Sequence, residues 1–252
     1  MNVETLLEAS LKEGIRKFLE ENRREFDGRI HVSHVTQCLR RSYLEIISPP
    51  ELQPNFNLFV GAGMHVLIEE ILAKELSSYV GMVENVYHEF EFEYPIKNGV
   101  LIGTADFVIE FPDEVVVVEL KTTKYDLPFP KNQFANRMFE KYVEQLTAYV
   151  HFAEIVFDKP STGVLMFVKR QNGRPSFFRI DKNYETFETI VERANALKKA
   201  LDEKVEPIGE PDCFCKPFVD PKTREEKGGC PFYHDCPYAL RRDNCDLDQY
   251  LG

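Results

Sequence analysis

At 252 residues, with 43% apolar and 12% aromatic residues, the chain can bury a sizeable core, which excludes a disordered or fibrous protein. Its net charge of −11 argues against a protein that coats nucleic acid by general basicity, but allows an enzyme with a local basic groove. There is no run of ~18 apolar residues, and the N-terminal MNVETLLEASLKEG lacks the charged–apolar–small pattern of a leader, so a cytoplasmic protein with no membrane partner is expected.

The first periodic stretch, residues 3–22, puts Val3, Leu6, Leu7, Leu11, Ile15, Phe18 and Leu19 on one helical face. Ser33 is placed to cap a second helix with Val35, Cys38, Leu39 and Leu44, which Pro49-Pro50 must end. Gly61-Ala62-Gly63 opens a third helix, on which His65 and Glu69 share a face. From Val86 to Tyr94 the period is two, with Phe90, Phe92 and Tyr94 on one side and Glu89, Glu91 and Glu93 on the other. Asn98-Gly99 then turns the chain into a hairpin.

That hairpin, Val100 to Lys124, carries the chemistry. Two β-branched runs flank the turn signal Pro112-Asp113, and only Asp106, Glu119 and Lys121 interrupt them. Glu119 and Lys121 are two apart and so point to the same side; if the strands pair, Asp106 sits beside them. Two carboxylates and an ammonium at the end of a buried strand are costly unless they do something, and a divalent metal bound for phosphate chemistry is one such use.

A Pro-containing loop and a helix to about residue 157 follow, with Gln145 and Tyr149 four apart on one face. Residues 161–168 read as a buried strand, Asn172-Gly173 as a second hairpin turn, and residues 184–202 as another helix. Between Glu119 and Ile180 ten Lys and Arg face six Asp and Glu, so the molecule is charge-asymmetric. The tail from Val205 has no strong periodicity and holds five of the six cysteines; in a cytoplasmic protein such clustering points to metal rather than to disulfides.

Helix, three strands, helix and strand, with Asp and then Glu-x-Lys on the second and third strands, resemble the PD-(D/E)XK nuclease core. Gly61-Ala62-Gly63-Met64-His65 is similar to the G-x-x-x-H motif of its RecB-type branch, Gly103-Thr104-Ala105-Asp106 and Glu119-Leu120-Lys121-Thr122 to the catalytic strands, and Gln145-Leu146-Thr147-Ala148-Tyr149 to the Q-x-x-x-Y helix. One cysteine before the core and three after it resemble the CRISPR-associated RecB-like exonucleases (the Cas-four type), in which four thiolates bind an iron–sulfur cluster. Cys38 matches the leading ligand and Cys230 and Cys236 the closing pair. The family's C-x2-C is broken by Lys227, which leaves Cys213 or Cys215 as the remaining ligand, with Cys215 favoured and Cys245 spare.

The resemblance implies an α/β fold: a restriction-endonuclease-like core with a mixed central sheet flanked by helices, and a C-terminal cysteine-rich module packed on the N-terminal helices. Residues 1–60 are the helical region, 61–204 the nuclease core and 205–252 the cluster segment. It implies Mn²⁺ or Mg²⁺ on His65, Asp106, Glu119 and the Leu120 carbonyl, and catalytic roles for Asp106, Glu119, Lys121, Gln145 and Tyr149. It also implies an iron–sulfur cluster, [4Fe–4S] ahead of [2Fe–2S]. Phosphate contacts are expected from Arg40, Arg41, Lys124 and Arg137. The expected activity is metal-dependent exonucleolytic cleavage of single-stranded DNA ends in CRISPR spacer acquisition, with the CRISPR integrase as partner. A catalytically weak end-binding adaptor and a viral or recombination nuclease are the alternatives.

Overall fold

The computed structural model describes residues 3–21, 26–50, 56–76, 78, 83–123, 133–210, 218–219, 226–227 and 229–238. The chain begins with helix α1 (Val3–Glu21), a two-residue strand β1 (Ile30–His31) and two short helices, α2 (Val32–Val35) and α3 (Leu39–Ile47). Then come α4 (Phe56–Leu76), the meander β2 (Asn85–Ile96), β3 (Gly99–Glu110) and β4 (Val115–Thr123), and α5 (Gln133–Phe157). The hairpin β5 (Ser161–Lys169) and β6 (Pro175–Ile180), α6 (Tyr184–Glu203) and the small pair β7 (Phe218–Val219) and β8 (Glu226–Lys227) complete it.

The main sheet is mixed. Its path is β1-β3-β4-β5-β6, with β2 also on β3. The β1–β3 and β4–β5 pairs are parallel; β2–β3, β3–β4 and β5–β6 are antiparallel. The parallel β4–β5 pair follows from the crossover through α5, whereas Asn98-Gly99 and Asn172-Gly173 make tight hairpins, Gly173 at φ +69°. Helices α2, α3, α5 and α6 share one core with the sheet, built around Phe92, Leu101, Leu146, Phe152, Phe167 and Leu197. Each such side chain contributes about 1.5–3 kcal/mol by leaving water. In α1 only the C-terminal half packs: Ile15 and Leu19 are buried while Leu6, Leu7 and Leu11 stay exposed.

The site owes its place to a fork in the sheet. β2 occupies one edge of β3 along its whole length. The other edge is shared: β1 pairs with Leu101 and Ile102, and β4 with Phe107 to Glu110. Between them Gly103–Asp106 has no strand partner on that edge among the described residues, and beyond Val118 β4 pairs with β5 instead of β3. Asp106 and Glu119 stand at the point of divergence.

Two local expectations change. The helix expected to open at Gly61 begins at Phe56, so Gly61 and Gly63 lie within α4. The second expected helix is broken at Thr36–Cys38 into α2 and α3. The cause is tertiary: Arg193 of α6 donates to the carbonyls of Val35 (2.6 Å) and Gln37, which a continuous helix would have used itself.

His34, within α2, generates a prediction. Its Nδ1 accepts the His31 amide (3.3 Å), and burial, with the neighbouring His31 adding to it, pushes its pKa down to about 4. The unfolded imidazole therefore takes a proton near pH 6.5 before the folded one does, so acid favours unfolding. Stability from this residue is complete above about pH 6.5 and is lost as pH falls toward 4, by ~2–3 kcal/mol. Urea midpoints at pH 7 and pH 5 should differ less in His34→Asn than in the native chain.

Candidate active site

The fork opens into a cleft of about 740 Å³ whose walls come from α4 (Gly61, His65, Val66, Glu69), β3 (Gly103, Thr104, Asp106), β4 (Glu119, Lys121, Thr122) and α5 (Tyr142, Gln145, Tyr149). His31, Ser33, Glu89 of β2 and Arg170 after β5 also line it.

His65, Glu69 and Asp106 bring one ligand atom each to within 4.8 Å of one another. His65 Nε2 lies 3.0 Å from Glu69 Oε1 and 3.5 Å from Asp106 Oδ1. Burial by itself would lower the His65 pKa, but the hydrogen bonds to Asp106 and Glu69 raise it to about 9. Burial also opposes the Asp106 carboxylate, yet the His65 hydrogen bond and the Lys121 charge hold it below the usual carboxylate range. Asp106 Oδ2 accepts the Leu120 amide, which ties β3 to β4 just past the end of their ladder.

Glu119 is 2% exposed. Burial, with the Asp106 charge adding to it, pushes its pKa up against the pull of Lys121. Its Oε1 accepts from Lys121 Nζ, whose pKa is raised because the two carboxylates outweigh its own burial. Glu119 Oε2 is buried and has no hydrogen-bond partner among the described residues. A bare carboxylate oxygen in the interior costs several kcal/mol unless a cation meets it. The imidazole of His65 and the carboxylates of Glu69 and Asp106 are a donor set suited to Mg²⁺ or, because of the histidine, Mn²⁺, in a cleft that Glu119 also lines.

On α5, Gln145 Nε2 donates to the Tyr149 hydroxyl at 2.7 Å, and Tyr149 is nearly buried. Its ring lies against the backbone of Gly103: a Cβ there would stand 2.1 Å from Tyr149 Cε1. Tyr142, one turn before Gln145, places its ring 5.2 Å below the Lys121 ammonium.

Of the residues expected from sequence, His65, Asp106, Glu119, Lys121, Gln145 and Tyr149 line this one cleft. The basic residues behave otherwise. Arg40 is 8% exposed and paired with Glu206, Arg41 pairs with Glu45 (2.8 Å), and Arg137 with Glu144 (3.1 Å) and Glu140 (3.3 Å); none of the three lines the cleft. Lys124, Cys213, Cys215 and Cys245 fall outside the described residues. Cys38, Cys230 and Cys236 form no disulfide among the described residues, and Cys236 is buried.

Sequence reasoning missed four residues. The i+4 spacing from His65 could have nominated Glu69 as a ligand, and the i−3 spacing from Gln145 could have nominated Tyr142. Nothing local marks Arg170. Glu89 stands opposite Asp106 between the registered pairs His88–Phe107 and Phe90–Ala105, with φ +48°. A left-handed glutamate inside a strand is a rare conformation that its surroundings must impose.

The contact between Gly103 and Tyr149 is testable without any assay of activity. Gly103→Ala should lower stability by ~1–3 kcal/mol, since the ring must move out of a packed core. Tyr149→Leu in the same chain should recover part of that loss. Urea denaturation of the two variants measures both.

Comparison with curated proteins gives no match. Among solved structures, one titled SSO0001 is similar over 93% of this chain and 98% of its own, at 19% identity and a TM-score of 0.56, which shows a shared fold. A putative exonuclease from Eubacterium rectale is 11% identical, covering 71% of this chain and 82% of its own at a TM-score of 0.47. An alkaline exonuclease from Laribacter hongkongensis is also 11% identical, covering 71% and 90% at 0.44. The model of the PD-(D/E)XK nuclease superfamily matches residues 13–240, nearly the whole chain and all of the cleft described above; the chain belongs to that superfamily.

Proposed function

We propose that the protein is a metal-dependent deoxyribonuclease that degrades single-stranded DNA from its ends. The observation that carries this reading is the convergence of His65, Glu69 and Asp106 in a cleft that the buried Glu119 and Lys121 also line. His65, Asp106, Glu119 and the Leu120 carbonyl, joined by Glu69, would hold the Mg²⁺ or Mn²⁺. Such an ion supplies Lewis acidity, which makes a water more acidic and neutralises charge at a phosphate.

The remaining work belongs to the chain. Lys121 Nζ, held by Glu119 Oε1 and by the face of Tyr142, donates hydrogen bonds where negative charge grows on the reacting phosphate or the attacking water. Gln145 fixes the Tyr149 hydroxyl, and Tyr149 seats the β3 strand that carries Asp106. For a single strand, the Tyr142 ring in the cleft would offer a face to an unpaired base.

A role in CRISPR spacer acquisition, with the CRISPR integrase as partner, rests on the order of the motifs and cysteines. So does an iron–sulfur cluster on Cys38, Cys230, Cys236 and either Cys213 or Cys215. One structural feature supports the cluster. Glu210 accepts from the Leu39 amide (3.4 Å), next to Cys38, and the neighbouring Gly209 lies beneath Tyr238, two residues from Cys236. The cluster would act as a staple between the tail (residues 205–252) and the N-terminal region, leaving the nuclease core of residues 61–204 between them.

End-labelled single-stranded DNA with Mn²⁺ is the test. The native chain should shorten it progressively, and Asp106→Ala and Glu119→Ala should each lose at least ~100-fold in kcat with unchanged folding. DNA bound but never cut by the native chain would replace this reading with an end-binding adaptor. Tyr142→Ala should slow cleavage ~2–30-fold, the range of one cation–π contact, while Tyr142→Phe stays near native. A broad visible absorbance that disappears in Cys236→Ser would establish the cluster, whereas a colourless protein containing zinc would refute it.

A further inference from the structure

We infer that Arg170, with Thr122 beside it, is an anchor for a second phosphate of the substrate strand, one helical turn of α4 away from His65. The inference rests on the nuclease reading of the cleft and goes beyond it by assigning a binding subsite.

Arg170 follows β5 directly, and its amide donates to the Thr123 carbonyl at 2.8 Å, which ties it to the end of β4. Its side chain reaches α4. A Cβ added to Gly61 would lie 3.6 Å from Arg170 Nη1 and 3.4 Å from Thr122 Oγ1. A guanidinium and a hydroxyl thus meet at the bare backbone of Gly61, where a larger side chain would begin to cover them. Gly61 and His65 are four apart on α4, so the two positions lie on one face about 6 Å apart along the helix axis. That is the scale of the separation between neighbouring phosphates of a single strand.

Electrostatics makes such an anchor necessary. Glu69, Glu89, Asp106 and Glu119 all line the cleft, so a polyanion entering it meets like charge. A metal ion at the His65 corner and the Lys121 ammonium would offset this only at the reacting phosphate. Among the described residues Arg170 is the one arginine lining the cleft. Its planar fork suits two oxygens of one phosphate, and a hydroxyl can complete the contact. Its distance from the His65 corner makes it a binding residue, so its loss falls on KM.

The experiment has two arms. In the first, binding of a labelled oligothymidine to the non-cleaving Asp106→Asn protein is followed against salt. Arg170→Ala and the size-matched Arg170→Gln should each weaken binding about tenfold and flatten the slope of log K against log salt by ~0.7, the share of one contact on a single strand. Arg170→Lys should keep most of the slope, and Arg179→Ala, an exposed partner of Glu114, should change neither. In the second arm, cleavage by Arg170→Gln with Mn²⁺ should show KM raised about tenfold and kcat within threefold of native. Unchanged affinity and slope in a parent that binds DNA would overturn the anchor and leave the nuclease standing. A fall in kcat at constant KM would also overturn it, moving Arg170 to the reacting phosphate. A native chain that neither binds nor cuts would overturn both readings.

Discussion

The site depends on carrying two carboxylates, Asp106 and Glu119, into the interior on strands that part company there. Held side by side in a region of low polarity, two like charges cannot both be fully ionised without compensation. Compensation comes from outside the two strands: His65 from α4 faces Asp106, and Lys121, two residues along β4, takes one oxygen of Glu119. The Leu120 amide takes another lone pair of Asp106. Among the described residues, what stays without a hydrogen bond is one oxygen of Glu119. A continuous β3–β4 ladder would fill this space, so the fork in the sheet is as much a part of the site as the side chains are.

Around the fork the walls hold one another in place. Tyr149 can lie flat on β3 only because residue 103 has no Cβ, so the glycine upstream of Asp106 and the tyrosine of α5 form one packing unit separated by 46 positions in the chain. Tyr142, on the same face of α5, steadies Lys121. On the opposite wall Glu89 is held in a left-handed conformation directly across from Asp106, a strain that the flanking pairs of β2 and β3 sustain. With His65 of α4, the elements α4, α5 and β2 therefore all meet residues 103–106.

A second organising contact lies away from the cleft. Arg193 of α6 binds the carbonyls of Val35 and Gln37 and the carboxylate of Glu210, and Glu210 in turn receives the Leu39 amide. One guanidinium thus joins the N-terminal helices, α6 and the start of the tail. It breaks the helix that local propensity favours and leaves Cys38 at the junction, before α3. The price in local hydrogen bonds is met by charge-assisted ones to a partly buried arginine.

Much of the architecture was legible from residues alone. Alternation from Val86 to Tyr94, the two Asn-Gly turns and the β-branched runs about Pro112-Asp113 specify strands and hairpins, because their information is local. The order of Gly-x-x-x-His, Asp, Glu-x-Lys and Gln-x-x-x-Tyr was likewise readable, since each motif sits within one element and the chain order carries over to the fold. Tertiary structure alone decided the break at Thr36–Cys38, the strain at Glu89, the ion pairs that occupy Arg40, Arg41 and Arg137, and the arrival of Arg170 in the cleft. Periodicity reports which face of an element is apolar, but not what a cation finds when it gets there. An arginine's partner is set by side chains tens of residues away, and only the folded chain brings them within reach.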